Sequence, residues 1–174
     1  MSSYALNLRS SSNCATDYDR QQPQVRQAYN GLVAYDLLSR VTCAKAVPSP
    51  ANNNSADFCY TNAVTNFSSP TDAYVYYLPL GVSLPPGSMP TCSQCLKDTM
   101  ATFGPIARNK SQPISITYAG AALQINMNCG PDFVNQSFTG AKGKSAAVAA
   151  VVPNLGGAVT IMAVAVAAQM LGLL

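Results

Sequence analysis

The sequence predicts a mainly α, small disulfide-bonded domain with long irregular loops, followed by a separate apolar C-terminal helix. Three observations carry this. Apolar residues recur at spacings of three and four in several stretches, six cysteines all lie before Pro131, and the chain ends in an uncharged apolar run. With 174 residues, one domain with one modest core is expected.

The opening, residues 1–12, is Ser-rich and short of apolar residues, so it reads as a loose segment. From Gln24 onward Val25, Tyr29, Leu32, Val33, Leu37 and Val41 recur at helical spacing, which predicts an amphipathic helix flanked by Cys14 and Cys43. Gly31 weakens it, because an interior glycine costs about 1 kcal/mol against alanine. Pro48, Pro50 and the Asn52–Ser55 cluster mark a loop, and Phe58–Val64 reads as a short helix carrying Cys59. Tyr74–Leu78 is β-branched and aromatic, which predicts an extended segment or one short strand before a Pro- and Gly-rich loop.

Cys92, Cys95, Leu96, Thr99, Met100 and Phe103 fall on one face of a predicted helix with Thr91 as its N-cap, and Gly104-Pro105 ends or kinks it. A second helix is expected from Ile114 or Ser115 to about Asn128, with Ile116, Ala119, Leu123 and Met127 facing inward and Gly130-Pro131 as its stop. The short connection lets the two pack antiparallel. That would bring Cys129 beside Cys92 or Cys95.

Composition narrows the function. Only 10% of residues are charged, against about 25% in an ordinary soluble domain, and the net charge of +3 is scattered, so no footprint for nucleic acid is present. The absence of His rules out Ser-His-Asp and Cys-His machinery and histidine metal ligands. No Glu is present either. A carboxylate pair such as Asp17 and Asp19 could in principle serve a glycosidase, but solvated turn residues are the simpler reading. No catalytic residue, metal or cofactor is therefore expected. Tyr74, Tyr76 and Tyr77 could offer a sugar-stacking platform or simply fill the core.

Cys14, Cys43, Cys59, Cys92, Cys95 and Cys129 form an even set in a weakly charged domain, which predicts three disulfides formed in an oxidising compartment. Cys92-Ser-Gln-Cys95 has the spacing of a redox pair or half a zinc site, yet no second close Cys or His pair accompanies it. Four Asn-x-Ser patterns, at Asn53, Asn66, Asn109 and Asn135, fall in stretches read as loop or linker and are candidate N-glycosylation sites.

The C-terminal stretch Ala146–Leu174 holds no charged residue. Small residues around Ser145, a spacer containing Pro153, Asn154, Gly156 and Gly157, and the apolar run Ala158–Leu174 follow the order of a GPI-attachment signal. Ser145, with Gly143 and Gly140 as alternatives, would be the residue joined to lipid. A tail-anchored helix or a buried terminal helix has a similar composition. A 17-residue helix would measure about 25 Å, short of a hydrocarbon core of about 30 Å. The first residues lack the apolar run of a secretory leader, so the GPI reading expects a signal peptide encoded upstream of Met1.

Taken together, Asn13-Cys-Ala-Thr-Asp-Tyr18, Ala28–Tyr35, Phe58–Asn66, Tyr76–Val82, Cys92–Leu96 and Cys129-Gly-Pro-Asp-Phe133 resemble a fungal family of secreted, cysteine-containing proteins with a C-terminal GPI signal and a domain of unknown function. The resemblance spans about Asn13 to Val134 and transfers no catalytic residue. It implies a disulfide-bonded, mostly helical domain on a fungal surface. The expected layout is a loose segment at 1–12, the helical domain at 13–134, a polar stalk at 135–145, and a removed signal or membrane helix at 146–174. The expected role is structural, adhesive or wall-interacting at the cell surface or cell wall, with the membrane and wall polysaccharide as partners. The alternatives are an Asp-dependent carbohydrate-active surface enzyme and a tail-anchored membrane protein.

Overall fold

The computed structural model describes residues 2–48 and 57–137. The chain divides into two units, Met1–Lys142 and Gly143–Leu174. The expected C-terminal helix and the lipid-attachment candidates Ser145, Gly143 and Gly140 lie outside the described residues, as does Asn53.

Helices dominate, and among the described residues there is no strand, only an isolated antiparallel bridge between Lys45 and Phe58. The order is α1 (Ser2–Leu8), α2 (Ala15–Asp19), α3 (Pro23–Thr42), α4 (Cys59–Thr65), a 3₁₀ helix (Pro70–Leu80), α5 (Gln94–Ala107) and α6 (Ile114–Cys129). None of the described helices is long and apolar enough to cross a membrane.

The helix α3 starts at Pro23, where a proline loses nothing because the first N–H groups have no intrahelical partner. Ala34, Leu37 and Val41 are buried, whereas Val25, Tyr29, Leu32 and Val33 in its first half are only partly covered. The predicted stripe therefore reaches the core only through its C-terminal half. The opening segment is not loose: α1 packs on α3 and buries Ala5. Its return is pinned where Asn13 Nδ2 donates to the Asn7 carbonyl at 2.8 Å and the Cys14 N–H donates to the Leu8 carbonyl at 3.0 Å.

Tyr74–Leu78 is helical rather than extended. With three residues per turn, Val75 and Leu78 eclipse each other, as do Tyr76 and Pro79, and all four are buried. Tyr74 and Tyr77 share the outer face. Other elements satisfy the helix end: Thr117 Oγ1 donates to the Leu78 carbonyl at 2.9 Å, and Asn30 Nδ2 donates to the Leu80 carbonyl at 2.9 Å. Gly81 then turns the chain at φ +83°, and a Cβ there would press on Asn30 and Pro113 at 3.3 Å.

The antiparallel pair α5 and α6 forms the centre. The cap of α5 is Ser93, whose Oγ accepts from the Leu96 N–H at 3.1 Å, rather than Thr91. Cys92 consequently precedes the helix, and the two cysteines of the Cys-x-x-Cys stretch do not share a helical face. Pro105 lies inside α5 and does not end it, since the helix runs on to Ala107.

The inward face of α6 differs from the predicted one. Ile114, Thr117, Tyr118, Ala121, Ala122, Ile125 and Asn126 are buried, while Ile116, Ala119, Leu123 and Met127 face solvent. The helix carries no charged side chain and is apolar around much of its circumference, so period alone could not fix which side turns inward.

Val41, Val75, Leu78, Met100, Phe103, Ile114, Tyr118 and Ile125 are fully enclosed in the core, which Leu37 extends. After α6 the chain is drawn back. Asn126 Nδ2 donates to the Val134 carbonyl at 2.9 Å, its Oδ1 accepts from the Val134 N–H at 2.8 Å, and Tyr118 Oη donates to the Asn135 carbonyl at 2.7 Å. Burial pushes the Tyr118 phenol up to about 12 from its ordinary value of 10.0.

Two disulfides are present, Cys59–Cys95 and Cys92–Cys129. Cys129 thus bonds Cys92, one of the two partners expected from the antiparallel packing of α5 and α6. The expected third bridge is absent, and Cys14 and Cys43 are free. Geometry explains this. Cys14 precedes α2, whose Tyr18 ring stands 4.8 Å from that of Tyr29. Cys43 closes the far end of α3, about 21 Å beyond Tyr29 at 1.5 Å per residue. A disulfide needs Cα atoms within about 7 Å.

Candidate functional site

Both bridges meet at the start of α5. Cys95 ties its first turn to the start of α4, and Cys92, just ahead of it, ties the lead-in to the end of α6. Because Cys92 and Cys95 bond outward to different partners, they form neither a redox pair with each other nor half a zinc site. Among the described residues no group of three or more potential ligands could hold a metal.

Beside this junction lies a cavity of about 600 Å³. The segment after α3 contributes Ala46 and Val47, α4 contributes Cys59, Asn62, Ala63 and Asn66, and the approach to α5 contributes Pro90, Thr91, Ser93, Gln94, Cys95 and Leu96. Asp72, in the first turn of the 3₁₀ helix, is the charged residue among the described lining residues.

A polar network closes one side of the cavity. Asp72 Oδ1 accepts from the Thr91 N–H at 2.6 Å and from Ser69 Oγ at 2.9 Å, and its Oδ2 accepts from Asn66 Nδ2 at 2.8 Å. Asn66 Oδ1 accepts from the N–H groups of Ser68 and Ser69 at 3.2 and 3.3 Å. Three short polar side chains and the Thr91 N–H therefore join the end of α4, the 3₁₀ helix and the lead-in to α5. Ser93 is spent on its cap, and Gln94 Nε2 donates to Asp98 Oδ1 at 2.7 Å.

The candidate glycosylation sites separate on geometry. Asn66 is half-buried, and its Nδ2, the atom that would carry a glycan, is bonded to Asp72. Asn109 and Asn135 are exposed. Their Oδ1 atoms accept from the N–H groups of Ser111 at 3.0 Å and Ser137 at 2.7 Å, which leaves Nδ2 pointing clear of these turns.

Asp17 and Asp19 lie exposed on the five-residue α2, and neither lines the cavity at the start of α5. Nearby, the Arg9 guanidinium sits 4.4 Å above the Tyr18 ring and 5.5 Å from that of Tyr29. A hydrogen bond to Tyr29 raises the Arg9 pKa further. The tyrosine run splits by the three-residue period: Tyr76 is buried edge-on to Tyr60 at 5.0 Å, while Tyr74 and Tyr77 stand 38% and 45% exposed on one outer face.

Sequence reasoning missed the cavity, because its walls come from four separate segments. Cys59, Asn66, Thr91, Cys95 and Leu96 stand out in the sequence, each for another reason. Residues 1–138 match the family described as Domain of unknown function (DUF7729). No curated protein and no solved structure matches the chain.

Proposed function

The chain belongs to the DUF7729 family, and from this premise we propose that it is a GPI-anchored protein of the fungal cell surface or cell wall, with a non-catalytic structural, adhesive or wall-contact role. The observation that carries the reading is the pair of disulfides built into the fold at the start of α5. Such bridges form and persist in oxidising compartments and on cell surfaces. The order of small residues, spacer and apolar run from Ser145 to Leu174 supplies the route to the membrane. Exposed Asn109 and Asn135 suit a glycosylated surface chain.

Contact with wall polysaccharide is assigned to the outer face of the 3₁₀ helix. Tyr74 and Tyr77 are three residues apart in a helix with three residues per turn, so their rings project side by side. Flat faces with a polar tip suit a sugar chain.

Phosphatidylinositol-specific phospholipase should release the protein from intact cells into the medium. Full retention after complete digestion overturns the anchor. Binding of the released protein to insoluble wall polysaccharide should drop at least tenfold in Tyr74→Ala/Tyr77→Ala. Undiminished binding overturns the assigned face and leaves the anchor standing.

A further inference from the structure

The cavity beside the start of α5 has no part in the surface role above. Its volume of about 600 Å³ falls within the roughly 300–1,000 Å³ of small-molecule sites. Ala46, Val47, Ala63, Pro90 and Leu96 give it aliphatic walls, and the Cys59–Cys95 bridge adds a sulfur surface.

The charges around it select the ligand. Among the described residues its lining holds no Lys or Arg, so a carboxylate or phosphate would find no counter-charge and would meet Asp72. Asp72 is itself already matched, with Thr91, Ser69 and Asn66 donating to it. It also lies against the lead-in to α5, where the helix end carries partial positive charge that offsets the carboxylate. A cation would therefore gain little. No aromatic ring belongs to the lining among the described residues, which offers a sugar ring no stacking surface there.

Among the described lining residues Thr91 and Gln94 are exposed, and one half-buried polar side chain remains for a ligand. Asn66, Ser93 and Gln94 Nε2 are engaged within the fold, whereas the half-buried Asn62 amide has no hydrogen bond among the described residues. It offers a donor and an acceptor on an otherwise aliphatic wall. We propose that this cavity binds a neutral aliphatic molecule with one hydrogen-bonding head, such as a fatty alcohol, with its chain along Val47, Ala63 and Leu96 and its head on Asn62.

The test titrates the full chain, disulfides intact, with octanol, octanoate and octylammonium while following the methyl resonances of Val47, Ala63 and Leu96. Octanol should shift them saturably, and the two charged analogues should bind at least tenfold more weakly. Asn62→Ala, which breaks no bond in the described fold, should weaken octanol about tenfold. Ala63→Leu, which fills the space, should abolish the shifts of Val47 and Leu96. Equal or tighter binding of either charged analogue overturns the choice of head. Absence of saturable shifts with octanol, or undiminished octanol binding in Ala63→Leu, overturns the site. If Ala63→Leu does not fold, the three-ligand series on the unaltered chain and Asn62→Ala decide.

Discussion

The two ends of this domain are held by different forces. From α4 to α6 the chain is tied by two covalent bridges and surrounds the fully enclosed Met100, Phe103, Tyr118 and Ile125. From α1 to the first half of α3 the described residues hold no bridge, and Ala5 is the small buried contact. There the contacts run instead through Tyr18, Tyr29 and Arg9 near the surface. The first region should thus unfold with the whole molecule, and the second should open locally at lower cost.

Removing the centre of the first region should have the largest effect. Phe103→Ala is expected to cost about 3–5 kcal/mol in denaturant unfolding. Tyr18→Ala in the second region should cost about 1 kcal/mol, the scale of one edge-to-face ring pair. Equal losses would show that the N-terminal helices share the core's cooperativity.

Next come the bridges. Cys92→Ser/Cys129→Ser should lose about 2–4 kcal/mol, because each bridge restricts the unfolded chain. Cys14→Ser/Cys43→Ser should stay within about 0.5 kcal/mol of the parent. A comparable loss from the second pair would mean that Cys14 and Cys43 are linked in solution.

Alkali should also act on the first region. The Tyr118 phenol is raised to about 12 from 10.0, so the folded state holds its proton more tightly than the unfolded chain does. The stability this contributes is fully present below about pH 10 and is lost as pH rises through about 12. Tyr118→Phe should flatten that decline, as read from unfolding midpoints across the alkaline range. It also removes the bond to the Asn135 carbonyl, so its midpoint at neutral pH should fall slightly.

The smallest effect should be a gain. Gly31 lies inside α3, and a Cβ there would meet nothing within 4 Å. Gly31→Ala should stabilise by about 1 kcal/mol and slow amide exchange in α1–α3 more than in α5 and α6. Uniform slowing would erase the distinction between the regions.

What the sequence made legible follows the same division of forces. The three long helices stand near their expected places because apolar residues recur at helical spacing with Gly or Pro at the breaks. The facing of α6 was hidden, since a helix with apolar residues around its circumference has no polar side to mark its exterior. The 3₁₀ helix was hidden for another reason. A three-residue period in a β-branched and aromatic run places Tyr74 and Tyr77 out and Val75 and Leu78 in, which over five residues resembles a strand. In α1 a lone buried alanine leaves no stripe to detect. The cavity had no local signature at all: Asp72 and Thr91 are brought together only by the packing of the 3₁₀ helix beside α5.

The overlap of the two bridges also determines how the protein meets proteases. Cys92 lies within the span closed by Cys59–Cys95, and Cys95 lies within the span closed by Cys92–Cys129. A single cut anywhere between Cys59 and Cys129 therefore leaves both pieces of chain joined by at least one bridge. A nicked molecule remains one molecule, and no fragment leaves until a second cut falls or a thiol opens the bridge.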